Sequence, residues 1–361
     1  MRLTVDIRKR LGDFQLQAAF TAEAGAPLAL LGASGCCKSV TLRCVAGIMR
    51  PDEGHIELDG TVLYDSAGHI DLPPQRRSVG YLFQQYALFP NMTVRQNIAA
   101  AIRDRSHREA ESAELLRRFR LENVAAQRPR QLSGGQQQRT ALASILAARP
   151  KAILLDEPFS ALDSYLKYQL ELELSDTLAR FSGPVLWVTH DRGEAWRNCR
   201  RVCVMDHGAA EPVVDMETLF HRPGTVSAAR LSGCKNYAAA VPEGESVRIP
   251  GWGVTLNCGT PVPPEVRVVG IRSHHVRPAA DGENAVPCTV ERVVDDVFGT
   301  IVLLRPENAA PEAPLLRMEL DKADWAALPD KGRLTVSIAP ADILLLRELH
   351  KEELPCTTPP Y

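Results

Sequence analysis

The sequence predicts an α/β domain with a mostly parallel sheet, an antiparallel β-region and a helical lobe, followed by a small all-β barrel. Three observations carry this. Short continuous apolar runs alternate with segments of helical periodicity up to about residue 206, as parallel strands covered on both faces do. A helix-rich stretch at about 92–149 interrupts them and reads as a separate lobe. After about residue 233, Gly and Pro punctuate short β-rich runs, the texture of a compact barrel. The expected division is therefore 1–233 and 234–361.

In chain order, Leu3, Val5 and Ile7 alternate, and Phe14, Leu16 and Phe20 follow less regularly, which predicts the antiparallel β-region. The apolar run 27–31 ends in Gly32, and after a glycine-containing turn Val40, Cys44, Val45 and Ile48 take helical spacing. Residues 55–83 return to short strands, with turns at Asp59-Gly60 and Pro73-Pro74. Helices are expected over 94–102, 106–119, 134–148 and 166–181, and buried strands over 152–155, 185–189 and 202–206. Beyond 233, strands are expected at 246–249, 254–256, 266–272, 288–294, 300–305, 315–320 and 333–338, with a short helix near 322–328. The Pro-rich tail from His350 reads as frayed.

Composition narrows the function classes. The 361 residues include 42 Lys and Arg against 44 Asp and Glu, a net charge of −2. That balance argues against wholesale nucleic-acid binding, which needs a basic stripe or domain. No apolar run approaches the ~18 residues that cross a bilayer, and Met1 to Arg10 has no signal-peptide core. Nine cysteines without a C-x-x-C pair predict free thiols rather than a disulfide scaffold or zinc site, and Cys199 with Cys203 is a weak metal pattern.

The chemistry begins at Gly32-Ala33-Ser34-Gly35-Cys36-Cys37-Lys38-Ser39, between a buried strand and a helix. Such a loop wraps phosphate with backbone N–H groups at a helix start, where Lys38 reaches the β- and γ-phosphates and the Ser39 hydroxyl holds Mg²⁺. Cys37 stands where the pattern has glycine, so its Cβ is expected to crowd the phosphate. A thiol beside Lys38 at a helix start is also a candidate for a lowered pKa and easy oxidation. Asp156 and Glu157 end an apolar strand; the first suits Mg²⁺ and the second suits polarising a water. Leu132-Ser133-Gly134-Gly135-Gln136 offers a second helix start able to face an anion.

With these motifs in this order, residues 1 to about 233 resemble the ATP-binding cassette (ABC) family, a P-loop NTPase fold. Lys38-Ser39 match its Walker A motif, Gln84 its Q-loop, Leu132 to Gln136 its signature and Asp156-Glu157 its Walker B. Ser160-Ala161-Leu162-Asp163 match the D-loop, and His190 the switch histidine. The resemblance implies a head-to-tail homodimer with each ATP between Walker A of one copy and Ser133 and Gly135 of the other. In it Glu157 is the general base, His190 contacts the γ-phosphate, and Gln84 senses Mg²⁺ and water. The usual adenine-stacking aromatic is replaced by Leu11, with Phe14 as the other candidate.

It also implies work passed to a separate membrane permease, received by a groove at Tyr86 to Val94, with an external binding protein delivering the solute and the ATPase peripheral on the cytoplasmic face. The C-terminal segment resembles the OB-like accessory barrel of molybdate and sulfate importers, on Ser232 to Asn236 and Gly270 to His275. Alternation puts His275 and Arg277 on one strand face and Arg272 and His274 on the other, as candidate oxyanion donors. Beside this importer stand an importer of a different solute and two other classes of cassette. One is a non-transport cassette acting on nucleic acid through an OB-type barrel, and the other is a regulatory cassette weakened by Cys37.

Overall fold

The structure is a computed structural model, which describes residues 1–160, 164–279 and 282–348. It divides into two compact units, Met1–Met216 and Glu217–Tyr361.

The first unit opens with the hairpin β1 (Arg2–Leu11) and β2 (Phe14–Glu23), in continuous antiparallel register from Arg2↔Glu23 to Leu11↔Phe14. The buried strand β3 (Leu28–Leu31) leads through the glycine-rich loop to α1 (Lys38–Ala46). Strands β4 (Glu53–Leu58), β5 (Thr61–Asp65) and β6 (Ile70–Asp71) extend the antiparallel side. The chain then crosses to β7 (Val79–Leu82). Three helices follow, α2 (Val94–Ala101), α3 (Arg108–Arg118) and α4 (Gly134–Ala147), packed on one another as the expected helical lobe. Next come β8 (Ala152–Asp156), α5 (Ser164–Leu178), β9 (Val185–Thr189), α6 (Arg192–Asn198) and β10 (Arg201–Asp206). Two short strands, β11 (Ala209–Ala210) and β12 (Val214–Asp215), close the sheet.

Strands β10, β3, β9, β8 and β7 are hydrogen-bonded in that order, and every pair among them is parallel. All residues of β3, β8 and β9 are buried, which is why their sequences are unbroken apolar runs. β7 lies in the 55–83 stretch expected as short strands, and its half-exposed Val79 and Tyr81 break the apolar run that marks its neighbours. Its parallel pairing with β8 sets Tyr81 beside Leu154, at the edge of the sheet that carries the site.

Helix α1 is held at its far end by two devices that the sequence did not reveal. Gly47 caps it with φ of 79°, and the fully buried Arg77 donates to the Cys44 and Val45 carbonyls at 2.8 and 3.0 Å. A Cβ on Gly47 would meet the Arg77 guanidinium at 2.5 Å, so this packing requires glycine.

The second unit begins seventeen residues before the boundary expected at 233 (233 − 216 = 17). The reason is helix α8 (Val226–Leu231), which follows α7 (Met216–His221). Val226 and Ala229 of α8 pack with Cys234, Tyr237, Val268, Leu344 and Leu346, so the helix completes a core of the C-terminal unit. In that unit, β13 (Asn236–Ala239), β17 (Val268–Ile271) and β23 (Ile343–Leu346) make one sheet. A second joins β14 (Val241–Glu243), β15 (Ser246–Ile249) and β16 (Val254–Asn257). The third joins β18 (Arg277–Pro278), β19 (Val286–Asp295), β20 (Gly299–Pro306), β21 (Leu316–Asp321) and β22 (Arg333–Ser337). The short helix α9 (Lys322–Ala327) lies where it was expected. One continuous core containing Trp252, Ile271, Val302, Met318 and Val336 fills a nearly closed, barrel-like all-β unit.

Candidate nucleotide-binding site

The site is built at the carboxyl ends of β3, β8 and β9, where an open α/β sheet places its ligands. After β3 the chain turns through Gly32–Cys37. Gly32 is required here, since a Cβ would meet the Met205 carbonyl oxygen at 2.3 Å and Cys36 Sγ at 2.6 Å. Gly35 takes φ of 88°, a glycine conformation. Lys38 is 5% exposed and folds back over the loop, donating from Nζ to the Gly32 and Ala33 carbonyls at 2.7 and 2.8 Å. Ala33, Ser34 and Gly35 are exposed on the rim, with Cys36 buried beneath.

Cys37 is the departure. It is the residue before α1 and takes φ of 69° and ψ of 21°, a left-handed conformation in which an ordinary side chain costs about 1–2 kcal/mol. Its half-buried side chain packs against the core cluster that contains Leu42 and Cys44. The thiol chemistry expected of it is reversed: burial pushes the Cys36 and Cys37 thiols above the ordinary range, outweighing Lys38. The ammonium also donates to Cys36 Sγ at 3.6 Å, but desolvation outweighs it.

The end of β8 meets this loop directly. Ser39 Oγ donates to Asp156 Oδ1 at 2.7 Å, bridging 117 positions of sequence, and the other oxygen, Oδ2, accepts from the Tyr81 hydroxyl at 2.7 Å. A hydroxyl and a carboxylate side by side form a hard oxygen donor set of the type Mg²⁺ prefers, so Ser39 and Asp156 fit that ion. Glu157 has φ of 47°, with its N–H donating to the Val188 carbonyl at 3.0 Å. Its Oε1 lies 3.2 Å from His190 Nδ1, and the imidazole is half exposed. Gln84 Nε2 donates to Ser160 Oγ at 3.2 Å, tying the loop after β7 to the residues after β8. Asp163 lies outside the described residues.

Two further anchors were missed in the sequence. Asp191 caps α6 by accepting from the Gly193 and Glu194 N–H groups at 2.8 and 3.1 Å. Lys167 of α5 reaches across to Asp191 at 2.6 Å and Glu194 at 3.0 Å, so the turn carrying His190 is pinned to the helix after the D-loop. An Asp after an apolar strand is a legible cap, but nothing in the spacing announces Lys167 as its partner.

Ser133 to Gln136 form a separate feature at the start of α4. Ser133 Oγ accepts from Gln136 N at 3.3 Å and Gln136 Oε1 accepts from Ser133 N at 2.9 Å, a complete capping box. Gly134 and Gly135 occupy the first helical positions, where N–H groups have no intrahelical acceptor. Gln136 thus has a local structural use of its carboxamide.

Compared with known proteins, residues 16–160 match the model of the ABC transporter family. A sn-glycerol-3-phosphate import ATP-binding protein of Paracoccus denitrificans is 35% identical over 305 residues, covering 81% of this chain and 84% of that protein. The chain belongs to the ABC transporter family. Similar ABC subunits include a spermidine/putrescine import ATP-binding protein of Pseudomonas aeruginosa, 37% identical over 285 residues and covering 75% of this chain and 77% of that one. A molybdenum import ATP-binding protein of Paramagnetospirillum magneticum is 38% identical over 224 residues, 62% of this chain and 61% of that one. A solved dimeric ATP-binding cassette in a post-hydrolysis state with ADP and Pi superposes with a TM-score of 0.50 at 28% identity, covering 60% of this chain and 99% of that one. ATP binding and hydrolysis are the activity of the cassette family to which this chain belongs.

The adenine candidates and the barrel residues fall differently. The Phe14 ring packs at Gly208, where an added Cβ would meet it at 2.5 Å, and both Phe14 and Leu11 are half-buried. Residues 273–275 form a turn of 3₁₀ helix rather than a strand, so the expected two-face alternation is absent. Arg272 is buried and donates to the Ser232 and Phe220 carbonyls, and His275 Nδ1 lies 3.1 Å from Asp342 Oδ1 without a hydrogen bond. Only His274 and Arg277 of the four line a cavity of about 850 Å³, and they share it with Asp296, Glu319, Asp321 and Asp324. That lining is more acidic than an oxyanion pocket. Cys199 and Cys203 are buried, the Cys203 thiol pushed by burial to about 12, and no metal cluster occurs among the described residues. The eight described cysteines are all free.

Proposed function

We propose that this chain is the ATP-hydrolysing subunit of a solute importer, working as a head-to-tail homodimer. The observation that carries the reading is the junction of Ser39 with Asp156, beside the Glu157–His190 pair, at one end of the parallel sheet. Lys38 and the N–H groups of 32–39 hold the β- and γ-phosphates of ATP. Ser39, Asp156 and Gln84 would hold Mg²⁺, which when bound neutralises charge on the phosphates. Glu157 takes the proton of the water that attacks the γ-phosphate in line, and His190 bears on that phosphate. Ser133, Gly134, Gly135 and Gln136 of the second copy close over the nucleotide.

The partner is a membrane permease, and the binding surface is the segment after Gln84. Phe89 is 58% exposed and Met92 37% exposed, so this turn presents apolar side chains that its own domain does not cover. Among the described residues no helix is long and apolar enough to cross a membrane, which makes a separate permease part of the reading. The ATPase then sits peripherally on the cytoplasmic face, and an external binding protein supplies the solute. The barrel is an accessory and regulatory unit, with the functional boundary near 233. No nucleic acid is required.

For the solute, molybdate or a related oxyanion such as sulfate is the reading, supported by the junction motif Ser232 to Asn236 and by the similarity to a molybdenum import subunit. The acidic cavity of the barrel and the similarity to polyamine import subunits favour an amine solute as the second reading. One experiment separates them. In cells lacking the protein, uptake of labelled molybdate, sulfate and putrescine is measured side by side, with rescue by the natural chain and by Glu157→Gln. Oxyanion uptake restored by the natural chain and not by the variant is the expected result. Rescue of putrescine alone overturns the oxyanion assignment, and unchanged uptake of all three overturns both.

A further inference from the structure

The Mg²⁺-side carboxylate is held by a residue that no motif of the site includes. Asp156 has two oxygens with separate partners: Oδ1 accepts from Ser39, and Oδ2 accepts from the Tyr81 hydroxyl at 2.7 Å. Tyr81 sits on β7, one strand over from Asp156 in parallel register, and its ring lies against Phe83 with centroids 4.1 Å apart. The ring packs against Phe83, and its hydroxyl, which also accepts from Arg43, donates to Asp156.

We infer that Tyr81 is a positioning residue: it clamps the Asp156 carboxylate with Oδ1 turned towards Ser39 and so sets the Mg²⁺ requirement of nucleotide binding. A carboxylate anchored at one oxygen loses little rotational freedom when the other meets a cation, which is how outer partners tune metal sites.

The inference rests on the reading of Asp156 as a Mg²⁺ residue, and the experiment keeps the two apart. Binding of a fluorescent ATP analogue to the full chain is titrated with Mg²⁺, and also measured in EDTA, for the natural protein, Tyr81→Phe, Asp156→Asn and the double variant. Tyr81→Phe is expected to raise the half-saturating Mg²⁺ about tenfold, at the low end of the ~10–100-fold cost of removing such partners, and to leave binding in EDTA unchanged. In the Asp156→Asn background it is expected to add nothing. An unchanged Mg²⁺ requirement in Tyr81→Phe, with Asp156→Asn raising it, overturns the role of Tyr81 alone. An unchanged requirement in Asp156→Asn overturns the Mg²⁺ reading itself. Equal loss in EDTA and in Mg²⁺ means that Tyr81 serves only packing, which also overturns the inference.

Discussion

Helices α1 and α4 both begin where the family reading puts phosphate, yet their first turns are built in opposite ways. At α4, Ser133 and Gln136 close a full capping box, and Thr93 and Gln96 close another with the same pattern at α2. At α1 there is no side-chain cap at all, and the preceding residue, Cys37, is left-handed. The box at α4 satisfies the Ser133 and Gln136 N–H groups and leaves those of Gly134 and Gly135 for a ligand, whereas the uncapped start of α1 leaves its whole first turn of N–H groups for an anion. The first turn of α1 therefore depends more on nucleotide than that of α4.

Replacing Lys38 tests this most severely. Its ammonium is buried and bonded to two loop carbonyls, so Lys38→Ala removes the charge that draws phosphate and also orphans Gly32 and Ala33. Charged hydrogen bonds are worth ~1.5–3 kcal/mol each, so ATP affinity is expected to fall by about 10²–10³-fold. Titration with a fluorescent nucleotide measures this, and retained affinity would mean that the uncapped helix start alone suffices.

Ser133→Ala strikes the capped start. Loss of an N-cap costs about 1 kcal/mol, so a small drop in thermal stability is expected. ATP binding by a single copy is expected to stay normal, while ATP-dependent dimerisation and turnover fall together, as read by light scattering and phosphate release. If binding by the single copy weakens as much as in Lys38→Ala, the two helix starts do not have the separate roles argued here.

The legibility of these features follows from how local each one is. The phosphate loop, the strand-end Asp156-Glu157 and the Ser133–Gln136 box are contiguous in sequence and could be read as they stand. Buried parallel strands announced themselves because both faces must be apolar. What escaped were contacts made between distant positions: Tyr81 on Asp156, Arg77 on the end of α1, Lys167 on Asp191. In the C-terminal unit, strands β13 and β23 were missed because their partners lie far apart in sequence, with Asn236 opposite Ile271 and Ile271 opposite Ile343. The four basic residues near 272–277 misled for a related reason. Their spacing fits a strand, but the chain turns there, and Arg272 is bound to the Ser232 carbonyl 40 positions away.

The mildest test is also the one that bears on the single departure from the phosphate-loop pattern. Cys37 pays a conformational penalty at φ of 69° that glycine avoids, yet its side chain packs against the core near Cys44. The penalty is ~1–2 kcal/mol and the lost packing is a fraction of one small, half-buried side chain, so strain relief is the larger effect. Cys37→Gly is therefore expected to stabilise the chain by about 1 kcal/mol or less once the greater freedom of unfolded glycine is counted. Removing the Cβ from the loop is expected to tighten ATP binding by up to about tenfold and to raise turnover in step. Because burial holds the Cys37 thiol above the ordinary range, its alkylation by iodoacetamide is expected to be slow at neutral pH and to keep climbing in alkaline buffer. A Cys37→Gly protein with unchanged ATP affinity and turnover would show that the loop accommodates the side chain fully. The uncapped start of α1 would then stand as an ordinary phosphate loop, and the reading of a weakened cassette would fall.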